Sequence, residues 1–319
     1  MSTSERMPDA ARGVVAGDRR ALARLISAVE DRDPSAVPSL RALYARTGRA
    51  RVIGFTGPLG VGKSSLINAL LKPLRERGLK VGVVAVDPSS PFSGGSVLGD
   101  RIRIERTPGD EGVFVRSMAS RGHTGGVAAA TREVCRLFDA FGMDVVLVET
   151  VGSGQVDVEI RDVASTSVVI LVPHLGDEVQ SLKAGLFEIA DVFCVNKSDL
   201  PGADVAAKDL GELVGLSGAA EGWRPAVVTA STANGDGLEP LWSAIEAHEA
   251  YLDAHHLRAA GERARLGREI VGMVSERVGR ELREALDRDP DLGHLLDEVV
   301  ARRLDPHSAA DRLYRERPR

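Results

Sequence analysis

The chain has 319 residues, 43% of them hydrophobic and 27% charged. That is the make-up of a globular protein of roughly two domains with length enough for a sizeable core, and it excludes a disordered or fibrous chain. Lys and Arg total 41 against 46 Asp and Glu, so the net charge of −5 gives no overall pull toward nucleic acid or an anionic membrane.

No apolar run reaches the roughly 18 residues of a membrane-spanning helix. The opening MSTSERMPDAARG lacks the apolar stretch of a secretory signal, so the expected compartment is the cytoplasm. Two cysteines, Cys135 and Cys194, cannot build a disulfide framework; their apolar neighbours mark them as small core residues and not ligands.

Residues 1–50 read as a helical extension. Leu22, Leu25, Ile26 and Val29 recur at helical spacing until Asp33-Pro34 breaks the run, and a shorter helix carries Leu40, Leu43 and Tyr44 as far as Gly48. From Arg51 the pattern changes. Short apolar runs at Val52–Thr56, Val81–Asp87, Val145–Thr150, Val168–Pro173, Val192–Asn196 and Ala226–Thr229 alternate with helical segments. Such alternation predicts an α/β domain over residues 51–250, with a mostly parallel central sheet covered on both faces.

Residues 251–319 carry no strand signal. Ile270, Val274, Val278 and Leu282 step by four along an amphipathic helix that Asp289-Pro290 should end, with a last helix through Leu295, Leu296 and Val299. From 257 onward there are 14 Arg and no Lys against 13 Asp plus Glu, interspersed as on a solvated helical face and unlike a phosphate-binding arm. The apolar stripe must be buried on the chain's own α/β domain or on a second subunit.

Gly57-Pro58-Leu59-Gly60-Val61-Gly62-Lys63-Ser64 fits G-x-x-x-x-G-K-[ST], between the strand Val52–Thr56 and a helix expected over Ser65–Leu71. Glycines let successive backbone N–H groups close around a phosphate, with the positive end of the helix dipole behind them. Lys63 would reach the outer phosphates and the Ser64 hydroxyl would ligate Mg²⁺. Val61 and Ser65 complete the cradle. This is a nucleoside triphosphate site.

Asn196-Lys197-Ser198-Asp199 follows an apolar strand, where ligands bind in open α/β sheets. A carboxylate at Asp199 can accept two hydrogen bonds from guanine, and adenine offers neither donor, so a buried Asp rejects adenine. Asn196 would tie this segment to the phosphate loop while the Lys197 stem covers the base. Thr229-Ala230-Ser231, after the next strand, is placed to add backbone donors for the guanine oxygen.

Three carboxylates lie where a metal–phosphate site needs them: Asp87 and Glu149 at strand ends, and Asp100 at the end of the Gly/Ser-rich run that starts at Pro88. Gly152, in Glu149-Thr150-Val151-Gly152, would let a backbone N–H approach a γ-phosphate. His248, His255 and His256 fall on an exposed-looking helix and read as solvated; His174 lies at a strand end near the phosphates, its role open.

These motifs, with Val86–Arg101 (VDPSSPFSGGSVLGDR) and Gly176-Asp177-Glu178-Val179-Gln180, resemble the methylmalonyl-CoA mutase-associated GTPases over nearly the whole chain. The resemblance implies a P-loop GTPase fold, with a C-terminal helical arm that forms a homodimer. It further implies GTP hydrolysis that gates adenosylcobalamin delivery to a cobalamin-dependent acyl-CoA mutase and helps eject damaged cofactor. Lys63, Asp87, Asp100 and Glu149 would form the phosphate–magnesium site, Arg103 would belong to a first switch, and Asp177 and Lys183 to a segment relaying nucleotide state. The chain departs from the family at Pro173-His174-Leu175-Gly176 and at Ser153-Gly154-Gln155-Val156. Both lie in or beside the signalling segments, so they bear on which mutase is served.

Two other readings fare worse. Nickel insertion needs a metal-donating cluster, and the chain has no His-rich tract and no Cys-x-x-Cys. A P-loop kinase would use ATP, against the guanine signature. A module that holds GTP as a structural ligand without turnover is a further alternative, which an unchanged hydrolysis rate in Glu149→Gln would favour. No Asp-x-His-x-x-Gly for cobalamin is present, so the cofactor is expected to ride on the mutase. No Gln follows Gly152 directly, and Gln155 lies further on, which predicts slow hydrolysis until a partner completes the site.

Overall fold

In the computed structural model, the residues described are 7–87, 110–119, 126–150, 158–173, 186–216, 222–288 and 290–316. Three helices lead: α1 (Asp9–Val15), α2 (Arg19–Glu30) and α3 (Val37–Tyr44). Asp18 starts α2 by accepting the Arg20 N–H at 2.8 Å, and Asp33 does the same for the short 3-10 turn Pro34–Ala36 before α3.

Strands and helices follow. They run β1 (Arg51–Thr56), α4 (Lys63–Glu76), β2 (Val81–Asp87), β3 (Val113–Ala119), α5 (Gly126–Phe141) and β4 (Val145–Glu149), followed by a 3-10 turn at Val158–Asp162. The second half has β5 (Thr166–Leu171), α6 (Leu186–Ile189), β6 (Val192–Val195), α7 (Ala203–Leu216), β7 (Ala226–Thr229) and α8 (Leu238–Ala254).

The strands form one sheet in the order β3-β2-β4-β1-β5-β6-β7, and every pairing is parallel. Side chains alternate across it. In β4, Val145 and Leu147 face Leu66, Leu70, Leu241 and Trp242 of α4 and α8, while Val146 and Val148 face the core that holds Leu22, Ile26 and Phe138. Both faces are therefore buried, as the continuous apolar runs require.

β3 was not expected from the sequence. Arg116 and Ser117 interrupt its apolar pattern, and their polarity is met by α2: the Arg116 guanidinium pairs with Glu30 at 2.7 Å and with Ser27 Oγ at 3.0 Å. Arg19 donates to the carbonyls of Glu111 (2.8 Å) and Val113 (2.7 Å), with its guanidinium 4.7 Å from the Phe114 ring centre. The N-terminal helices thus share the sheet's core: Ala11, Val14, Leu22 and Leu43 cluster with Phe138 and Val146.

The chain divides into two compact units, Met1–Gly261 and Glu262–Arg319. Helix α9 (Leu257–Arg288) runs across the boundary, and α10 (Pro290–Val300) and α11 (Pro306–Glu316) follow. The second unit has one helix more than the spacing predicts. Asp305 caps α11, accepting the N–H groups of His307 at 2.9 Å and Ser308 at 3.0 Å, and Pro306 sits at its first position. Ile270, Val271 and Val274 of α9 are 59%, 65% and 56% exposed. Among the described residues no helix is long and apolar enough to cross a membrane.

Candidate active site

The carboxyl ends of β1, β4, β6 and β7 bring the predicted residues together. β1 leads into the glycine loop and α4 begins at Lys63, two residues before the helix expected from the sequence. Gly62 caps α4 with φ +91°, a left-handed conformation that glycine adopts without cost. Lys63 is buried, and its Nζ donates to the carbonyls of Gly57 (2.7 Å) and Pro58 (2.9 Å). The ammonium thus rests on the loop's own oxygens, at the mouth of the cradle the loop forms.

Glu149 is the last residue of β4, in register with Phe55 of β1. Its Oε1 accepts the Ser64 hydroxyl at 2.5 Å. A hydroxyl and a carboxylate side by side are hard oxygen donors of the kind Mg²⁺ prefers. Of Asp87 only the backbone is described, at the end of β2. Asp100, Arg103, Gly152, His174, Asp177 and Lys183 lie outside the described residues.

The Asn196–Asp199 segment follows β6. Asn196 is buried, and its Nδ2 donates to the Val61 carbonyl at 2.7 Å, so the segment grips the phosphate loop as expected. Lys197, at φ +57°, sends its Nζ to the Gly60 carbonyl at 2.9 Å. Asn196 Oδ1 is buried with no hydrogen-bond partner among the described residues. Asp199 accepts the hydroxyl of fully buried Ser231 at 2.5 Å, which holds the carboxylate in place.

Of the backbone donors expected from Thr229-Ala230-Ser231, two are otherwise employed. The Ala230 N–H donates to Val195 O at 2.9 Å and the Ser231 N–H to Asp236 O at 2.9 Å. Ser231 therefore meets Asp199 through its hydroxyl. Thr56 and Thr150, to which the motifs alone give no role, bring their hydroxyls to 2.9 Å between the phosphate loop and Glu149.

His248 is not solvated. It is buried on α8, with Nδ1 2.9 Å from Thr166 Oγ1 and Nε2 3.5 Å from Asp191 Oδ1. Burial holds the imidazole down at about 4 and pushes the Asp191 carboxyl up to about 6. Next to it, buried Glu249 accepts from Thr166 Oγ1 (2.5 Å) and Ser165 Oγ (2.7 Å) and pairs with Arg258 at 2.9 Å. This network lies at the amino ends of β5 and β6, the opposite edge of the sheet from the phosphate loop. Leu241, Ile245 and His248 follow an i, i+4, i+7 pattern, the signal that marks His248 as inward-facing. His255 and His256 are exposed, and no group of three or more metal-capable side chains occurs among the described residues. Cys135 and Cys194 are buried core thiols, each pushed by burial up to about 12.

A glycine loop between strand and helix, gripped from across the sheet by an Asn-Lys-x-Asp segment on a parallel sheet, defines a P-loop GTPase. A profile described as "Methylmalonyl Co-A mutase-associated GTPase MeaB" matches residues 22–287. A GTPase-family protein of Pyrococcus abyssi is 44% identical over 303 residues, covering 94% of this chain and 93% of that one. GTPase ArgK of Escherichia coli is 38% identical over 237 residues, 72% of each chain. The mouse methylmalonic aciduria type A homolog, a mitochondrial protein, is 37% identical over 216 residues, 66% of this chain and 51% of that one. Among solved structures, a LAO/AO transport system kinase superposes with a TM-score of 0.69 at 26% identity, covering 99% of this chain and 98% of that one. The chain belongs to the MeaB family of methylmalonyl-CoA mutase-associated GTPases.

Proposed function

We propose that this GTPase uses Mg²⁺-dependent hydrolysis of GTP to GDP and phosphate to gate adenosylcobalamin loading and protection on a cobalamin-dependent acyl-CoA mutase. The client is methylmalonyl-CoA mutase or a related acyl-CoA mutase. The nucleotide half is carried by the grip of Asn196 and Lys197 on the carbonyls of Val61 and Gly60. The mutase half is supported by the family description over residues 22–287.

In this reading Gly57, Gly60, Val61, Gly62, Lys63, Ser64, Ser65 and Gly152 hold the phosphates. Asn196, Lys197, Asp199 and Ser231 hold the base. The Ser64 hydroxyl and the carboxylates of Asp87, Asp100 and Glu149 would hold Mg²⁺, and the all-oxygen pair Ser64–Glu149 suits a hard cation. Bound Mg²⁺ supplies charge neutralisation on the phosphate oxygens. Nucleotide entry asks Lys63 to exchange the Gly57 and Pro58 carbonyls for phosphate oxygens, so its positive charge meets the charge that grows as the terminal bond loosens. Asp199, oriented by Ser231, accepts from the base and sets the preference for guanine.

Arg103, Asp177 and Lys183 would carry the nucleotide state to the mutase. Residues 1–50 act as an extension of the GTPase domain (51–250), and residues 251–319 as an arm that dimerises through the exposed stripe Ile270, Val271 and Val274. The setting is the cytoplasm. The test is GTP hydrolysis by the purified protein with Mg²⁺, alone and with a panel of adenosylcobalamin-dependent acyl-CoA mutases, Lys63→Ala serving as the inactive control. One mutase should stimulate turnover by about tenfold or more, as partners that complete a GTPase site do. Stimulation by none of them would refute the client assignment.

A further inference from the structure

The phosphate loop is bounded by Thr56 on one side and by Lys63-Ser64 on the other. Two consecutive residues of β4 and its exit reach both ends. Glu149 accepts the Ser64 hydroxyl at 2.5 Å, and the Thr150 hydroxyl donates to Thr56 Oγ1 at 2.9 Å. The Thr150 N–H also donates to Phe55 O at 3.0 Å, one residue beyond the β1–β4 register pair Phe55–Glu149. Thr56 is fully buried and Thr150 is 3% exposed, so water does not compete for the hydroxyl pair.

We infer that the Thr150 hydroxyl is a positioning group for GTP hydrolysis: together with Glu149 it clamps both ends of the phosphate loop and fixes the carboxylate against Ser64. This inference rests on the nucleotide site proposed above. Valine matches the shape of threonine, so packing alone would be satisfied by a methyl at either position. A buried hydroxyl pair at this junction adds direction: it sets how the Glu149 carboxylate lies relative to the first turn of α4. The loop amides and Lys63, which hold the ground-state phosphates, stay in place without it. The loss should therefore fall on turnover and spare nucleotide affinity.

The test uses the full chain and the variants Thr150→Val, Thr150→Ser, Thr56→Val and the Val/Val double. Read-outs are kcat and KM for GTP, affinity for a fluorescent GDP analogue, and melting temperature. Thr150→Val and Thr56→Val should each lower kcat about tenfold, the scale of one buried hydrogen bond, with KM and GDP affinity within about twofold. Thr150→Ser should restore kcat to within about threefold, and the double should lose less than the product of the two single losses because one bond is common to both. A lowered melting temperature with kcat unchanged, a Thr150→Ser as slow as Thr150→Val, or losses that multiply in the double would each overturn the inference. Thr56→Val reports on the same bond should Thr150→Val fail to fold. Failure of the unsubstituted protein to bind GDP would instead overturn the site itself.

Discussion

Alanine at Gly62 and at Gly60 perturbs the phosphate loop in two measurably different ways. Both positions have positive φ, +91° and +80°, so each substitution carries the cost of a left-handed non-glycine residue, about 1 kcal/mol. Among the described residues a Cβ at Gly60 meets nothing within 4 Å, whereas one at Gly62 comes to 2.6 Å from Asn196 Nδ2. Asn196 would have to withdraw and give up its 2.7 Å bond to Val61 O in a buried setting, a further loss of about 1–3 kcal/mol. For a unit of this size each kcal/mol lowers the melting temperature by about 2–4 °C. The expectation is a Gly60→Ala protein about 3 °C less stable than the parent and a Gly62→Ala protein lower again by about 5 °C, measured nucleotide-free with a chelator present. Equal melting temperatures, or Gly60→Ala the less stable, would refute the account of how the base-side segment grips the loop.

Two further outcomes follow from the buried groups. His248, near 4 when folded against 6.5, makes stability fall as pH drops through 6.5 to 4, because the unfolded chain takes up the proton first. Asp191, near 6 against 3.8, works in the other direction, its contribution being lost as pH rises from 3.8 to 6. The two nearly cancel between pH 4 and 6. Asp191→Asn removes one of them, so urea unfolding should show the variant losing up to about 3 kcal/mol more than the parent on acidification from pH 6.5 to 4; parallel pH profiles would contradict this. The thiols of Cys135 and Cys194 should stay unlabelled by a thiol reagent at pH 8 in the native protein and both react once it is unfolded, as mass spectrometry would count.

The sheet was largely legible in the sequence because a parallel strand buried on both faces must be apolar throughout, as Val145–Val148 and Val192–Val195 are. β3 escaped because it is an edge strand whose Arg116 is neutralised by Glu30, 86 residues away in sequence, and local pattern carries no trace of that pairing. The phosphate loop and Asn196–Asp199 were readable because their chemistry depends on residue type at fixed spacing. Ser231 was found for a different reason than the one that places it, since its N–H is taken by Asp236 and its hydroxyl faces Asp199. His248 was misread because hydrophobicity alone was followed around α8; a polar side chain on the inward stripe is buried where Thr166 and Asp191 supply partners. The cap of α11 lay in plain view in Asp305-Pro306-His307-Ser308.

The contacts of α2 bear on how the chain is made. Its apolar face, Leu22, Leu25, Ile26 and Val29, leaves the ribosome ahead of the sheet, and the residues that fix α2 at its two ends, Val113 for Arg19 and Arg116 for Glu30, come 94 and 86 residues later. At about 5–20 residues per second that separation is on the order of ten seconds of synthesis. All-parallel pairing offers no hairpin to bridge the wait, since each strand must be followed by a crossover before its partner arrives. During that interval the emerging helices present a sticky surface, and a nascent chain halted before β3 should be a substrate for chaperones that bind apolar segments.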